Sequence, residues 1–195
     1  MGLVAPRLLE LKLFIQQCWK IKAEWEVLLP AAMDAQFRKL IAECGEIKTI
    51  NFPRYLWSSG SEIGHYELHV FCDASKLSFG CTAYLVHKVP GVNESQLIYV
   101  RGRVAPITAH SIPQLELMTT TIGKRAAIFL RKSLDLQITR TVVWTDATTI
   151  IQWLHSSVVQ SRFVQNRLGE LRNVSDIVVR YTPTKHNPAD ILSRG

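Results

Sequence analysis

A mixed α/β fold is what this sequence predicts: a five-stranded sheet flanked by helices, preceded by a helical extension. Three observations carry it. Near residue 60 the apolar pattern changes from helical spacing to strict alternation. Three alternating stretches then follow one another across short turns, which is the pattern of antiparallel neighbours. After them strand-like and helix-like stretches alternate, adding parallel strands to the same sheet and helices to its faces.

Residues 1–59 read as a helical connection segment. Leu8, Leu11, Ile15 and Cys18 recur at helical spacing, as do Met33, Phe37, Leu40, Ile41 and Cys44. Pro30 suits a helix start and Gly45 a helix stop. A link through Phe52-Pro53-Arg54 leads to Ser58-Ser59-Gly60-Ser61, the expected boundary before a second unit at 60–195. Burying Trp19, Trp25 and Phe37 is worth about 1.5–3 kcal/mol each, so these helices should dock on that unit or on a neighbouring domain.

The second unit opens with a strand in which Tyr66, Leu68, Val70 and Cys72 alternate with Glu67, His69, Phe71 and Asp73. Strands over 78–88 and 96–104 follow, joined by a turn around Pro90-Gly91-Val92-Asn93. Ser111-Ile112-Pro113-Gln114 has capping-box spacing, and Leu115, Met118, Ile122, Ala126 and Phe129 continue one helix face. A strand at 141–145, helices near 147–155 and 161–172, a strand at 177–182 and a brief helix from Pro188 complete the order β-β-β-α-β-α-α-β-α.

No run is long and apolar enough to span a membrane, and the start lacks a signal-peptide pattern. Cys18, Cys44, Cys72 and Cys81 are irregularly spaced, as expected of buried thiols in a reducing compartment. Lys and Arg total 23 against 16 Asp and Glu, and the net charge of +7 suits a polyanionic partner. Seven of these cations, Arg101, Arg103, Lys124, Arg125, Arg131, Lys132 and Arg140, fall between residues 101 and 140. We assign Arg101, Arg103, Lys124 and Arg125 to nucleic-acid binding.

Four carboxylates stand apart from the solvated ones. Asp73 ends the first strand and Asp146 ends the 141–145 strand; Glu116 and Asp190 lie early in helices. Strand ends and helix starts converge at one edge of an α/β sheet. Carboxylates gathered there repel one another unless divalent cations fill the space, and an all-oxygen donor set selects Mg²⁺ or Mn²⁺. Two such ions about 4 Å apart suit in-line phosphodiester displacement. Taken singly, Asp190 could equally cap its helix and Glu116 could equally favour a helix N-terminus.

The strings Phe71-Cys72-Asp73-Ala74-Ser75, Arg103-Val104-Ala105-Pro106, Ser111-Ile112-Pro113-Gln114-Leu115-Glu116-Leu117, Trp144-Thr145-Asp146 and Asn187-Pro188-Ala189-Asp190-Ile191-Leu192-Ser193-Arg194-Gly195 occur in order. Together they closely resemble the ribonuclease H domain of BEL/Pao-type LTR retrotransposon polyproteins. Cys18-Trp19-Lys20, Trp25 through Pro30 and Phe163-Val164-Gln165-Asn166-Arg167 look like that family as well. The resemblance implies a ribonuclease H-like fold with Asp73, Glu116, Asp146 and Asp190 as catalytic metal ligands for two Mg²⁺ ions, replaceable by Mn²⁺. It implies cleavage of the RNA strand of RNA–DNA hybrids, a reverse transcriptase domain of the same polyprotein as partner, and a place in cytoplasmic virus-like particles. Residues 1–59 would then be the connection trailing that polymerase, whose Tyr-x-Asp-Asp motif is absent here. His186 reads as a surface-loop residue.

Rival readings are weaker. An integrase would want a Glu about 35 residues beyond Asp146, where Tyr181 stands, and an aspartic protease would want Asp-Thr/Ser-Gly. His65 and His69 share a strand face with no Cys or carboxylate in register, so no zinc site is expected. A non-catalytic nucleic-acid-binding module of the same fold is the alternative from another class. The closing helix is too short to be stable alone. With only Ile191 and Leu192 as apolar anchors, it should leave Asp190 loosely held and Mn²⁺ the better activator.

Overall fold

The structure, a computed structural model, describes residues 2, 4–47, 51, 64–89, 91–108, 110–158, 161–173 and 176–194. The expected link at 52–54 and boundary at 58–61 lie outside the described residues. The elements are α1 (Ala5–Lys20), α2 (Ala31–Glu46), β1 (His65–Ala74), β2 (Ser78–Val89), β3 (Val92–Val104), α3 (Ile112–Ser133), β4 (Ile138–Thr145), α4 (Thr148–His155), α5 (Arg162–Arg172), β5 (Ile177–Tyr181) and α6 (Asp190–Arg194).

The strands form one sheet in the order β3-β2-β1-β4-β5. β1, β2 and β3 pair antiparallel, whereas β4 runs parallel to β1 and β5 parallel to β4. β1, β4 and β5 therefore all end at the same edge. The β2–β3 hairpin is tighter than its polarity suggested. Gly91 adopts φ +83°, Val89 pairs with Val92, and the polar run Asn93–Gln96 continues the ladder. Alternation failed to mark that segment because both of its faces are polar.

α3 starts where its sequence says. Ser111 Oγ accepts from the Gln114 amide (3.4 Å), and Gln114 Oε1 accepts from the Ser111 amide (2.9 Å). Its inner face, Leu115, Ile122, Ala126 and Leu130, covers Leu68, Val70 and Cys72 of β1 and Val143 of β4. On its flank Leu117 joins Ile150, Val164, Leu168 and Leu171 of α4 and α5 in a second apolar cluster. Gly123 marks the closest approach: a Cβ there would stand 2.2 Å from the Cys72 Sγ.

α1 lies along β3. Ala5, Leu9 and Phe14 are its buried residues, while Ile15, from the face read off the sequence, is exposed. Gln16 Nε2 donates to the Ala105 carbonyl (2.6 Å) and Lys12 Nζ to that of Gly102 (3.2 Å). Phe14 stacks on Phe37 of α2 at 5.6 Å, and Arg7 pairs with Glu43 at 2.9 Å. The N-terminal tryptophans are not buried against the sheet unit. Trp19 is 67% and Trp25 94% exposed, beside exposed Val27 and Leu28. Cys72 and Cys81 are buried as thiols, whereas Cys18 and Cys44 are only half-buried.

Filling the space at Gly123 should push α3 off the sheet. Overpacking costs about 1–3 kcal/mol, partly offset by about 1 kcal/mol of helix propensity. We predict that Gly123→Ala lowers unfolding stability by about 1–2 kcal/mol in urea titration. Adding Cys72→Ala, which removes the sulfur it meets, should restore most of that loss. A Gly123→Ala protein with the parental midpoint would contradict the packing described.

Candidate metal centre

Three strands end at one edge, and α3 begins there. Asp73 is the penultimate residue of β1, Asp146 immediately follows β4, and Glu116 lies in the second turn of α3. The fold thus brings three of the four expected carboxylates together: one oxygen each of Asp73, Glu116 and Asp146 lies within 4.8 Å of the others. Asp73 and Glu116 are buried and Asp146 is half-buried. Asp190, at the start of α6, is not part of that group of three. It lines the end of a groove of about 890 Å³ on the adjoining sheet face, yet its charge acts on Asp73.

The electrostatics are those of crowded anions. Burial first, then the charges of Asp146 and Asp190, push the Asp73 carboxyl up to about 6, against the hydrogen bond from Ser193. Burial, followed by Asp73 and Asp146, pushes Glu116 up to about 8, although the Ala74 backbone donates a hydrogen bond to it. No Lys or Arg among the described residues lies within 4 Å ion-pair distance of Asp73, Glu116 or Asp146. Glu116 Oε2 is buried with no hydrogen-bond partner. Hard oxygen donors, no protein counter-charge and an orphaned carboxylate oxygen fit a small divalent cation.

Side chains the sequence reading did not assign hold this cluster. Ser193 Oγ donates to Asp73 Oδ2, and Thr184 Oγ1 donates to Asp146 Oδ2 (2.7 Å). Asn187 Nδ2 donates to the Cys72 carbonyl (2.9 Å) while its Oδ1 accepts from the Ala189 amide (3.2 Å), so the approach to α6 is tied to the end of β1. The anchorage of α6 differs from the expected pair Ile191 and Leu192. Ile191 is 67% exposed and anchors nothing, but Ala189, Leu192 and Ser193 are buried. Leu192 seats against Gly80 and Gly102, paired across β2 and β3, where a Cβ would meet its methyl groups at 2.7 and 2.9 Å. No local signal marks Ser193, because its partner Asp73 lies 120 residues away in sequence.

The basic residues separate into three kinds. Arg101 and Arg103 are exposed at the end of β3. Arg125 is exposed but forks onto Glu170 at 2.5 and 2.7 Å. Lys124 is a correction: it is only 1% exposed, its ammonium donates to the Leu171 carbonyl, and burial pulls its pKa down. Its place in the helix turns it toward α5, so it cannot reach a phosphate. Arg103, Thr121, Arg125, Asn166, Arg167 and Glu170 line a separate groove of about 240 Å³.

His69 also departs from expectation, because it has a carboxylate partner. Glu67 is two residues away and so on the same strand face. His69 Nε2 donates to Glu67 Oε2 (3.0 Å), and its Nδ1 accepts from Trp144 Nε1 (3.0 Å). Burial works against the Glu67 charge, yet His69, Lys88 and Arg140 hold it below the usual carboxylate range. His186 is exposed, as expected.

Raised carboxylates make stability depend on pH in a definite direction. Between their ordinary values and about 6 for Asp73 or about 8 for Glu116, the folded chain keeps protons that the unfolded chain has released. Metal-free protein should therefore melt at progressively lower temperature as pH rises from about 4 to 8. Added Mg²⁺ or Mn²⁺ should reverse the decline, and Glu116→Gln should flatten its upper half. An identical slope in parent and Glu116→Gln would show that Glu116 is not the group titrating.

The comparisons with known proteins agree with this geometry. Residues 1–147, which include Asp73, Glu116 and Asp146, match the family described as Pao retrotransposon-like RNaseH-like domain. No curated protein matches the chain. Among solved structures, RNase H1 from Halobacterium salinarum is 11% identical, with a TM-score of 0.40 over 64% of this chain and 89% of that one. LC11-RNase H1, from compost and in complex with an RNA/DNA hybrid, is 12% identical, with a TM-score of 0.41 over 63% of this chain and 88% of that one. A foamy viral protease-reverse transcriptase in complex with dsDNA is 14% identical, with a TM-score of 0.39 over 87% of this chain and 34% of that one. Likenesses this distant carry no weight of their own, and the assignment rests on the family match over three quarters of the sequence: the chain belongs to the Pao retrotransposon-like RNaseH-like domain family.

Proposed function

We propose that this chain is a metal-dependent endoribonuclease that cleaves the RNA strand of RNA–DNA hybrids during retrotransposon reverse transcription. The observation that carries this reading is the trio Asp73, Glu116 and Asp146, within 4.8 Å of one another and with no ion-pair partner among the described residues. The sequence resemblance and the family support the substrate. Asp73, Glu116 and Asp146 would hold the metal, and Asp190 would supply a fourth carboxylate. Mg²⁺ or Mn²⁺ bound there would supply Lewis-acid activation and charge neutralisation for phosphodiester hydrolysis. Water adds at phosphorus and the bond to the 3′ oxygen breaks, leaving 3′-hydroxyl and 5′-phosphate ends.

The protein's remaining task is to hold the hybrid. Arg101 and Arg103 are exposed at the end of β3 and suit backbone phosphates, whereas Arg125 would have to exchange Glu170 for a phosphate. Selectivity for RNA would come from contacts to 2′-hydroxyls across the minor groove rather than from base edges. In the same reading, the exposed Trp19 at the end of α1 and the exposed Trp25 and Leu28 between α1 and α2 face a reverse transcriptase domain of one polyprotein, inside cytoplasmic virus-like particles.

Hybrid cleavage tests the reading. The parent should cut the RNA strand only with Mg²⁺ or Mn²⁺ present. Loss of groups that merely support metal ligands costs about 10–100-fold, so Asp146→Asn, which alters a ligand, should cost about a hundredfold or more. Parental activity in Asp146→Asn, or cleavage undiminished by chelator, would sink it. Binding of the hybrid without cleavage under any metal would favour the non-catalytic alternative.

The corrected basic residues give a second prediction. Arg103→Ala should lower the log–log salt dependence of hybrid binding by about one unit. Lys124→Met should leave that slope unchanged while lowering the melting temperature. The opposite pattern would return Lys124 to the interface.

A further inference from the structure

We propose that Ser193 is a positioning residue for Asp73, its buried hydroxyl fixing the orientation in which that carboxylate meets the metal. The inference rests on the reading of Asp73, Glu116 and Asp146 as a cation site and goes beyond it by assigning a residue outside the quartet.

Ser193 is fully buried in α6. Its hydroxyl has two acceptors within reach, Asp73 Oδ2 and the Asp190 carbonyl at 3.1 Å. A hydroxyl carries one proton, and an ionised carboxylate is the stronger acceptor, so the proton goes to Asp73. That bond engages Oδ2 and leaves the other oxygen free of it to meet a cation. The Ser193 hydroxyl is thus a neutral donor that restrains the rotation of the Asp73 carboxylate.

The hydroxyl is itself held from behind. Ser75 Oγ (2.6 Å) and Ser78 Oγ (2.8 Å) both donate to the Ser193 carbonyl, and Ser78 Oγ also reaches that of Leu192 (3.2 Å). Carbonyls at a helix end have no partner within the helix, so these two serines satisfy them and pin the last turn. Ser75 and Ser78 bound the β1–β2 turn, which begins two residues after Asp73. Asp73 and Ser193, 120 residues apart in sequence, are thus fixed to the same turn. One turn of α6 carries Asp190 toward the groove and Ser193 toward Asp73, which couples the fourth carboxylate to the first.

The test is Mn²⁺ binding by calorimetry on the whole chain, for the parent and Ser193→Ala, with melting curves with and without Mn²⁺. Removing a hydrogen-bond partner of a metal ligand costs about 10–100-fold in affinity, and we expect about tenfold here. The rise in melting temperature that Mn²⁺ gives the parent should shrink accordingly. In hybrid cleavage, kcat should fall at limiting Mn²⁺ and recover at excess, with KM for the hybrid unchanged. A merely structural serine would lower the metal-free melting temperature and leave Mn²⁺ affinity at the parental value, and that result overturns the proposal. Should Ser193→Ala fail to fold, Ser193→Cys keeps the volume with a far weaker donor and should show the same loss; parental affinity there would also overturn it. A parent that binds no Mn²⁺ at all would instead overturn the metal-site reading.

Discussion

The contact between α3 and β1 at Gly123 and Cys72 is the constraint on which the site depends. A glycine lets the helix sink until it touches the sulfur of the central strand. Glu116 lies seven residues earlier, two turns or roughly 10 Å back along the axis. Because α3 begins at the edge where β1 ends, Glu116 in its second turn lies at the same edge as Asp73. The parallel pairing of β4 with β1, in which Cys72 stands opposite Thr145, sets Asp146 beside them. Helix depth and strand register are therefore what convert three residues remote in sequence into one cluster.

That cluster opposes the stability of the fold that makes it. Buried carboxylates with no cation nearby favour protonation, and Asp73 and Glu116 are both pushed up for that reason. The surroundings contain the strain with neutral donors instead of charges. Ser193, Thr184 and the Ala74 amide each give one hydrogen bond to a carboxylate, and none of them cancels the negative charge. A lysine or arginine in the same place would stabilise the metal-free chain and compete with the cation. Donors that orient without neutralising suit a site whose charge is completed from outside.

Much of this was legible in the sequence, and the exceptions have a common cause. Strand alternation in β1, the capping box at Ser111 and the punctuation between elements are local signals, so the order of elements and the strand-end carboxylates could be read directly. Lys124 was misread because helical spacing gives faces but not which neighbour each face meets; α5 covers it. Leu9 and Phe14, not Leu8 and Ile15, are the buried face of α1 because β3 and α2 approach from that side. Trp19 and Trp25 show that a large apolar side chain reveals a preference for burial, not a partner. Ser193 and Thr184 were invisible as ligand holders because their partners lie 120 and 38 residues away.

The central claim is that Asp73, Glu116 and Asp146 form a cation site. Crystals of the protein grown with Mn²⁺, measured at a wavelength where manganese scatters anomalously, test it most directly. The account predicts an anomalous peak among those three carboxylates. Anomalous density that is absent there at millimolar Mn²⁺, or found only at other residues, would contradict it.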